Sequence, residues 1–137
     1  MFWIKPVTTT KFCLPLYLAR VPLGFPSPAE DHLDRHLDLN EYLIKKPSST
    51  FFAKADGDSM VDFGIHDGSI LIVDRSAKAR HGSIVVVSVN GELTCKQIDL
   101  HRKQLLSGNR KFHPIPIGED VDAVVEGVVL WSIKSHV

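Results

Sequence analysis

Apolar positions change their rhythm along this chain, and each change predicts a stretch of different character. Over residues 1–27, Phe2, Trp3, Ile4, Phe12, Leu14, Leu16, Tyr17 and Leu18 follow no sustained period, and Pro6, Pro15, Pro22 and Pro26 interrupt them. Each proline fixes φ and removes a backbone donor, so no packed element is expected there. The stretch is nevertheless too apolar for a free tail. It predicts an arm lying extended on its own domain or on a neighbour's.

At Ser27-Pro28-Ala29-Glu30 a helix start is written: a serine cap, proline at the first helical position, and glutamate three residues after the cap. Leu33 and Leu37 follow at i, i+4, predicting a short helix. Asp38 then caps a second turn or two carrying Tyr42, Leu43 and Ile44, and Pro47 with Ser48-Ser49 closes the helical region. Beyond it the pattern is β. Strands are predicted over residues 50–55, 69–74, 84–89, 92–98, 104–106 and 121–133. Between them stand the turn signals Gly57, Asp67-Gly68, His81-Gly82 and Asn90-Gly91, the last being the strongest hairpin signal in the chain. Turns every eight to twelve residues or so point to a mostly β domain, a sandwich or small barrel-like fold.

At 137 residues there is room for one modest core plus an arm. The expected organisation is therefore an arm over 1–27 and a single β-rich domain over 28–137. Apolar residues at 44% and charged residues at 23% are ordinary for a soluble globular protein. Lys+Arg and Asp+Glu both number 16, so no net charge steers the chain toward nucleic acid or an anionic membrane, and direct DNA binding is not expected. Two cysteines, Cys13 and Cys95, make neither a disulfide framework nor a zinc spacing. No signal peptide is read at the N-terminus, and the longest apolar run, residues 84–87, is far too short to span a bilayer. A reduced cytoplasmic setting is the expectation.

Chemistry concentrates in two places. Ser59 lies in Gly57-Asp58-Ser59-Met60, a turn after a predicted strand, and Lys96 lies on the return strand of the Asn90-Gly91 hairpin. A serine hydroxyl is a poor nucleophile until a base takes its proton, and a lysine can do so only when uncharged. Moving a lysine pKa from about 10.4 to about 7 takes roughly 4–5 kcal/mol of differential solvation. Burial on a strand is one way to impose it. Period 2 puts Thr94 and Lys96 on one face and Cys95 on the other. The glycine before Asp58-Ser59 lets the backbone turn sharply, exposing N–H groups to an oxyanion. His32 and His36 fall at i, i+4 on the predicted helix, but no third ligand has a convincing spacing, so a solvated face is expected rather than a metal site. No cofactor is implied. Cys95 beside Lys96 is either a reactive thiol or a small core residue, the latter favoured. Asp58 and Asp67 read as turn formers.

Taken together, Gly24-Phe25-Pro26-Ser27-Pro28-Ala29, Leu37-Asp38-Leu39-Asn40, Gly57-Asp58-Ser59-Met60, Asp67-Gly68, Leu71-Ile72-Val73-Asp74, His81-Gly82, Gly91-Glu92-Leu93-Thr94-Cys95-Lys96 and the opening Ile4-Lys5-Pro6 resemble the UmuD family. That family sits within the LexA-like self-cleaving serine peptidases. The resemblance covers nearly the whole chain. It implies a fold of twisted antiparallel strands with an extended N-terminal arm and one or two short helices. It implies Ser59 as nucleophile, Lys96 as general base, and a cut between Leu23 and Gly24. It further implies a homodimer, stimulation by the RecA filament on single-stranded DNA in the SOS response, and service to a UmuC-type error-prone polymerase. One departure stands out: the residue before the scissile glycine, usually alanine or cysteine in this family, is Leu23 here. Competing readings are a non-catalytic dimerisation module of the same fold, a signal peptidase, and a truncated LexA-type repressor. The paired Ser59 and Lys96 argue against the first. No membrane anchor is read for the second, and no DNA-binding helix-turn-helix for the third.

Overall fold

The computed structural model describes residues 11–17, 21–26 and 33–137. The chain divides into two compact units, Met1–Lys45 and Lys46–Val137.

In the first unit, strand β1 (Cys13–Tyr17) pairs antiparallel with β2 (Leu33–Asp38), setting Cys13 opposite Asp38 and Leu14 opposite Leu37. The pairing corrects the helix expected to carry Leu33 and Leu37. A spacing of four is even, so it satisfies a strand's period of two as well as a helix's period of 3.6. The partner strand, some twenty residues upstream, decides between them. The predicted helix start at Ser27-Pro28-Ala29-Glu30 lies outside the described residues. The second helical expectation holds: α1 (Leu39–Leu43) begins at Asp38, whose carboxylate accepts the Asn40 N–H at 2.9 Å.

The second unit is built on a seven-stranded antiparallel sheet. Its strands are β3 (Thr50–Lys54), β4 (Ile70–Asp74), β5 (Ile84–Val89), β6 (Glu92–Asp99), β7 (Gln104–Leu106), β8 (Ile115–Pro116) and β9 (Ala123–Ile133). They lie in the order β3-β4-β9-β5-β6-β7-β8, so β3 and β8 are the edges. The mostly β character is as the sequence predicts. At the β5–β6 hairpin Asn90 has φ 50° and Gly91 φ 86°, the two left-handed residues that a tight, right-twisting hairpin needs. The long β9 pairs with both β4 and β5, and its register shifts once against each. A Cβ at Gly127 would stand 2.6 Å from Val73 Cγ1 and 3.1 Å from the Asp74 carbonyl oxygen, so only glycine lets β9 approach β4 there.

Alternation along the strands feeds two apolar clusters. Met60, Ile65, Leu71, Val73 and Val86 form one, with Cys95 packed against it. Val85, Val87, Ile98, Leu105 and Val128 form the other. Burying each such side chain is worth about 1.5–3 kcal/mol, which makes the sheet a rigid frame for the loops it carries. Among the described residues no helix is long and apolar enough to cross a membrane.

Candidate active site

Ser59 follows the edge strand β3 in a turn fixed from both sides. On one side, Gly57 adopts φ 92° and its N–H donates to Asp67 Oδ1 at 2.8 Å. The N–H of Ala55 donates to the Ser69 carbonyl, and the N–H of Gly68 to the Ala55 carbonyl, each at 2.8 Å. Asp67 is thus the turn former the sequence suggests. The N–H of Gly57, in contrast, is occupied and cannot serve an oxyanion. On the other side, the N–H of Gly108 donates to the Ser59 carbonyl at 2.7 Å, and Asn109 Nδ2 donates to the Asp58 carbonyl at 3.0 Å. Met60 is buried and anchors the turn in the core.

Gly108 and Asn109 were not singled out by the sequence, where Gly-Asn in a polar stretch reads only as a loop. Their partners lie about fifty residues upstream, and no local pattern encodes that pairing.

Lys96 projects from β6, opposite Val85 of β5, and is 6% exposed. Its Nζ stands 3.3 Å from Ser59 Oγ, and the Phe112 ring centroid is 5.7 Å away. Burial strips water from the ammonium and holds the Lys96 pKa below the ordinary lysine value, while Cys95 opposes weakly. The Cys95 thiol is pushed up to about 11 by its own burial, which outweighs the lowering effect of Lys96. Cys95 is therefore a neutral thiol packed against the first cluster, on the strand face opposite Lys96.

Two cavities flank the pair. One of about 680 Å³ reaches Ser59 and is walled by Ala53, Ala55, Ile65, Leu71 and Leu93. The other, of about 580 Å³, reaches Lys96 and includes Thr94, Ser107, Phe112 and His113. Leu23 and Gly24 lie in a bend of the first unit. Leu23 is fully exposed there, and a Cβ on Gly24 would meet nothing within 4 Å. His36 sits exposed on β2, so the helical spacing imagined for it is absent; His32 lies outside the described residues. Among the described residues no three His, Cys, Asp or Glu side chains gather as metal ligands. Asp58 is exposed in its turn, apart from Asp67's hydrogen bond to Gly57.

The family described as Peptidase S24-like matches residues 15–130. This chain belongs to the S24-like peptidase family. Its relatives include Protein MucA of Salmonella typhimurium, 41% identical over 123 residues, 90% of this chain and 82% of the relative. Protein ImpA of Salmonella typhimurium is 42% identical over 133 residues, 96% of this chain and 88% of the relative. Protein SamA of the same species is 45% identical over 96 residues, 70% of this chain and 66% of the relative. As an S24-like peptidase related to the UmuD type, the chain is by class a self-cleaving serine peptidase.

Proposed function

We propose that the protein cuts its own Leu23–Gly24 bond, in the arm of residues 1–27, with Ser59 as nucleophile and Lys96 as general base. The observation that carries this is the 3.3 Å approach of Lys96 Nζ to Ser59 Oγ at a site where the lysine is 6% exposed. Once it is uncharged, which the lowering of its pKa by burial favours, the amine has a lone pair free for the serine proton. As Ser59 Oγ bonds to the Leu23 carbonyl carbon, that proton passes to Nζ. It leaves again on the Gly24 nitrogen when the C–N bond breaks, and water then releases the acyl group from Ser59. With the Gly57 N–H engaged by Asp67, the N–H of Ser59 itself is the oxyanion donor this reading favours.

The cavity at Ser59 supports the reading. Among its walls, beside Phe51 and Lys54 of β3, are Ala53 of β3 and Ala55 just after it, small side chains that leave space for leucine where the family usually carries a smaller residue. Since among the described residues β3 pairs only with β4, its other edge also offers backbone groups to an extended, proline-rich substrate strand. Glycine after the cut presents no side chain to the approaching hydroxyl.

Membership of the UmuD-like branch supports the wider setting of this proposal. Cleavage is stimulated by the RecA filament on single-stranded DNA in the SOS response. The shortened chain acts in the cytoplasm, as a homodimer, with a UmuC-type error-prone polymerase. Incubation with RecA, single-stranded DNA and ATP tests it. Near neutral pH, residues 24–137 are expected to accumulate much faster when all three are present than when any one is left out, and not at all from Ser59→Ala protein. Equal cutting of Ser59→Ala would overturn it.

A further inference from the structure

The Oγ of Ser107 is a buried side-chain oxygen with no hydrogen-bond partner, the one such atom among the described residues. Folded chains leave few buried hydroxyls unpaired, and each exception calls for an explanation. Its place in the sheet supplies one. β6 and β7 pair antiparallel with Asp99 opposite Gln104, Ile98 opposite Leu105 and Gln97 opposite Leu106. The register continued by one residue sets Ser107 opposite Lys96. Directly opposed residues of an antiparallel pair share a face, with Cβ atoms about 4.5–5.5 Å apart. Consistent with that, Ser107 and Lys96 line the same cavity. On its other side Lys96 faces Val85, wholly buried and apolar. In the cross-strand row of Lys96, therefore, β5 supplies a hydrocarbon wall and the continuation of β7 supplies a hydroxyl.

We propose that Ser107 is a positioning residue for the proton transfer, its Oγ accepting a hydrogen bond from the Lys96 ammonium that forms when Ser59 gives up its proton. This rests on the reading of Lys96 as the base of Ser59. The balance is simple: one proton moves from Ser59 Oγ to Lys96 Nζ and later to the Gly24 nitrogen, while Ser107 keeps its own throughout. Before transfer the amine is turned on Ser59 Oγ at 3.3 Å, and Ser107 waits without a partner. After transfer the ammonium has three N–H groups, and Ser107 takes one. An acceptor that meets only the charged form favours that form, so it holds the lysine's proton affinity up and keeps the base strong enough to act.

Other titratable groups near Lys96 are Glu92 and His113, which line the cavity, and Cys95, which precedes it on β6; Val85, opposite on β5, does not titrate. The test follows the lysine ε-carbon signal by NMR from pH 7 to 11 in uncut Ser59→Ala protein, assigned by its loss on Lys96→Ala. Ser107→Ala is expected to lower the Lys96 midpoint by about one pH unit, tenfold in proton affinity. Ser107→Thr keeps the hydroxyl and is expected to keep the midpoint. The same shift is expected in Glu92→Gln, His113→Gln and Cys95→Ala backgrounds. In otherwise native protein, Ser107→Ala is expected to slow self-cleavage about tenfold and move its pH profile lower, with Ser107→Thr restoring both. Should Ser107→Ala fail to fold, Ser107→Gly serves the same comparison. Cleavage that needs Lys96, with a midpoint unmoved by loss of the hydroxyl, removes the role of Ser107 alone. Cleavage that survives Lys96→Ala removes the dyad on which it rests.

Discussion

The backbone N–H of Gly108 holds the carbonyl of Ser59 at 2.7 Å, tying the turn that carries the proposed nucleophile to the loop that follows β7. A Cβ at Gly108 would stand 2.5 Å from Phe63 Cδ2 and 3.2 Å from the Met60 carbonyl carbon. The Phe63 ring is partly exposed and can swing aside, but Met60 is the backbone neighbour of Ser59. Gly108→Ala is therefore expected to displace Ser59 while leaving the fold intact. Small displacements of reacting groups cost about a hundredfold in rate. Self-cleavage should fall about 10- to 100-fold with a melting temperature within a few degrees of the native protein, measured by mass spectrometry and thermal unfolding.

Lys96 should be a stability liability at neutral pH. Its folded pKa is lowered by burial, so between that value and the unfolded one, about 10.4, the unfolded chain binds more protons. Stability contributed by this site therefore rises with pH across that window. Cys95 acts in the opposite sense: raised to about 11 when folded, it costs stability as pH climbs above the ordinary thiol value. Lys96→Met, compared in a Cys95→Ala background to remove that term, is expected to raise stability at pH 7 by about 1 kcal/mol, or ~4 °C. The advantage should shrink toward pH 10. A destabilised Lys96→Met protein would contradict a net cost of holding this lysine buried.

Asp74 ends β4 with its carboxylate accepting from Ser49 Oγ at 2.7 Å and from the N–H and Oγ of Ser76, each at 2.8 Å. These bonds, Ser49 first, lower its pKa. Asp99 is lowered likewise, chiefly by the Arg102 N–H. A depressed carboxylate contributes stability that is complete above the unfolded value, about 3.9, and disappears as pH falls through the folded value. Thermal melts from pH 6 to pH 2 should show that loss below about pH 4, and Asp74→Asn should flatten the slope there. An unchanged slope would remove Asp74 from the acid-sensitive set.

Leu23→Ala examines the fit of the substrate side chain. If the cavity beside Ala53 and Ala55 is shaped for leucine, the smaller residue should leave cleavage unchanged or up to about tenfold slower, the range expected for lost methylenes in an apolar pocket. A tenfold acceleration would mean that Leu23 is a poor fit.

Much of this was legible in the sequence, for reasons that differ by element. Asn90-Gly91 declares its hairpin because few residues tolerate two successive positive φ angles, and the strands at 84–89 and 104–106 fall where their patterns put them. The strand at Leu33–Asp38 was not legible, because its leucine spacing suits helix and strand alike and its partner, Cys13–Tyr17, lies beyond a window of local pattern. The pairing of Ser59 with Lys96 was readable from turn, strand face and resemblance. The grip of Gly108 and Asn109 on Ser59 and Asp58 was not, since it is a long-range contact between two loops whose compositions announce only turns.

The most direct test of the central claim is intact-mass spectrometry of the purified protein held at pH 7 and at pH 10, beside Ser59→Ala, Lys96→Ala and Cys95→Ala. With lysine as the base, loss of residues 1–23 should accelerate as pH rises toward full neutralisation of Lys96, whose pKa burial has already lowered. Cys95→Ala should behave as the native protein, while Ser59→Ala and Lys96→Ala should remain whole. Removal of the same residues from Lys96→Ala, or a rate indifferent to pH between 7 and 10, would contradict the account.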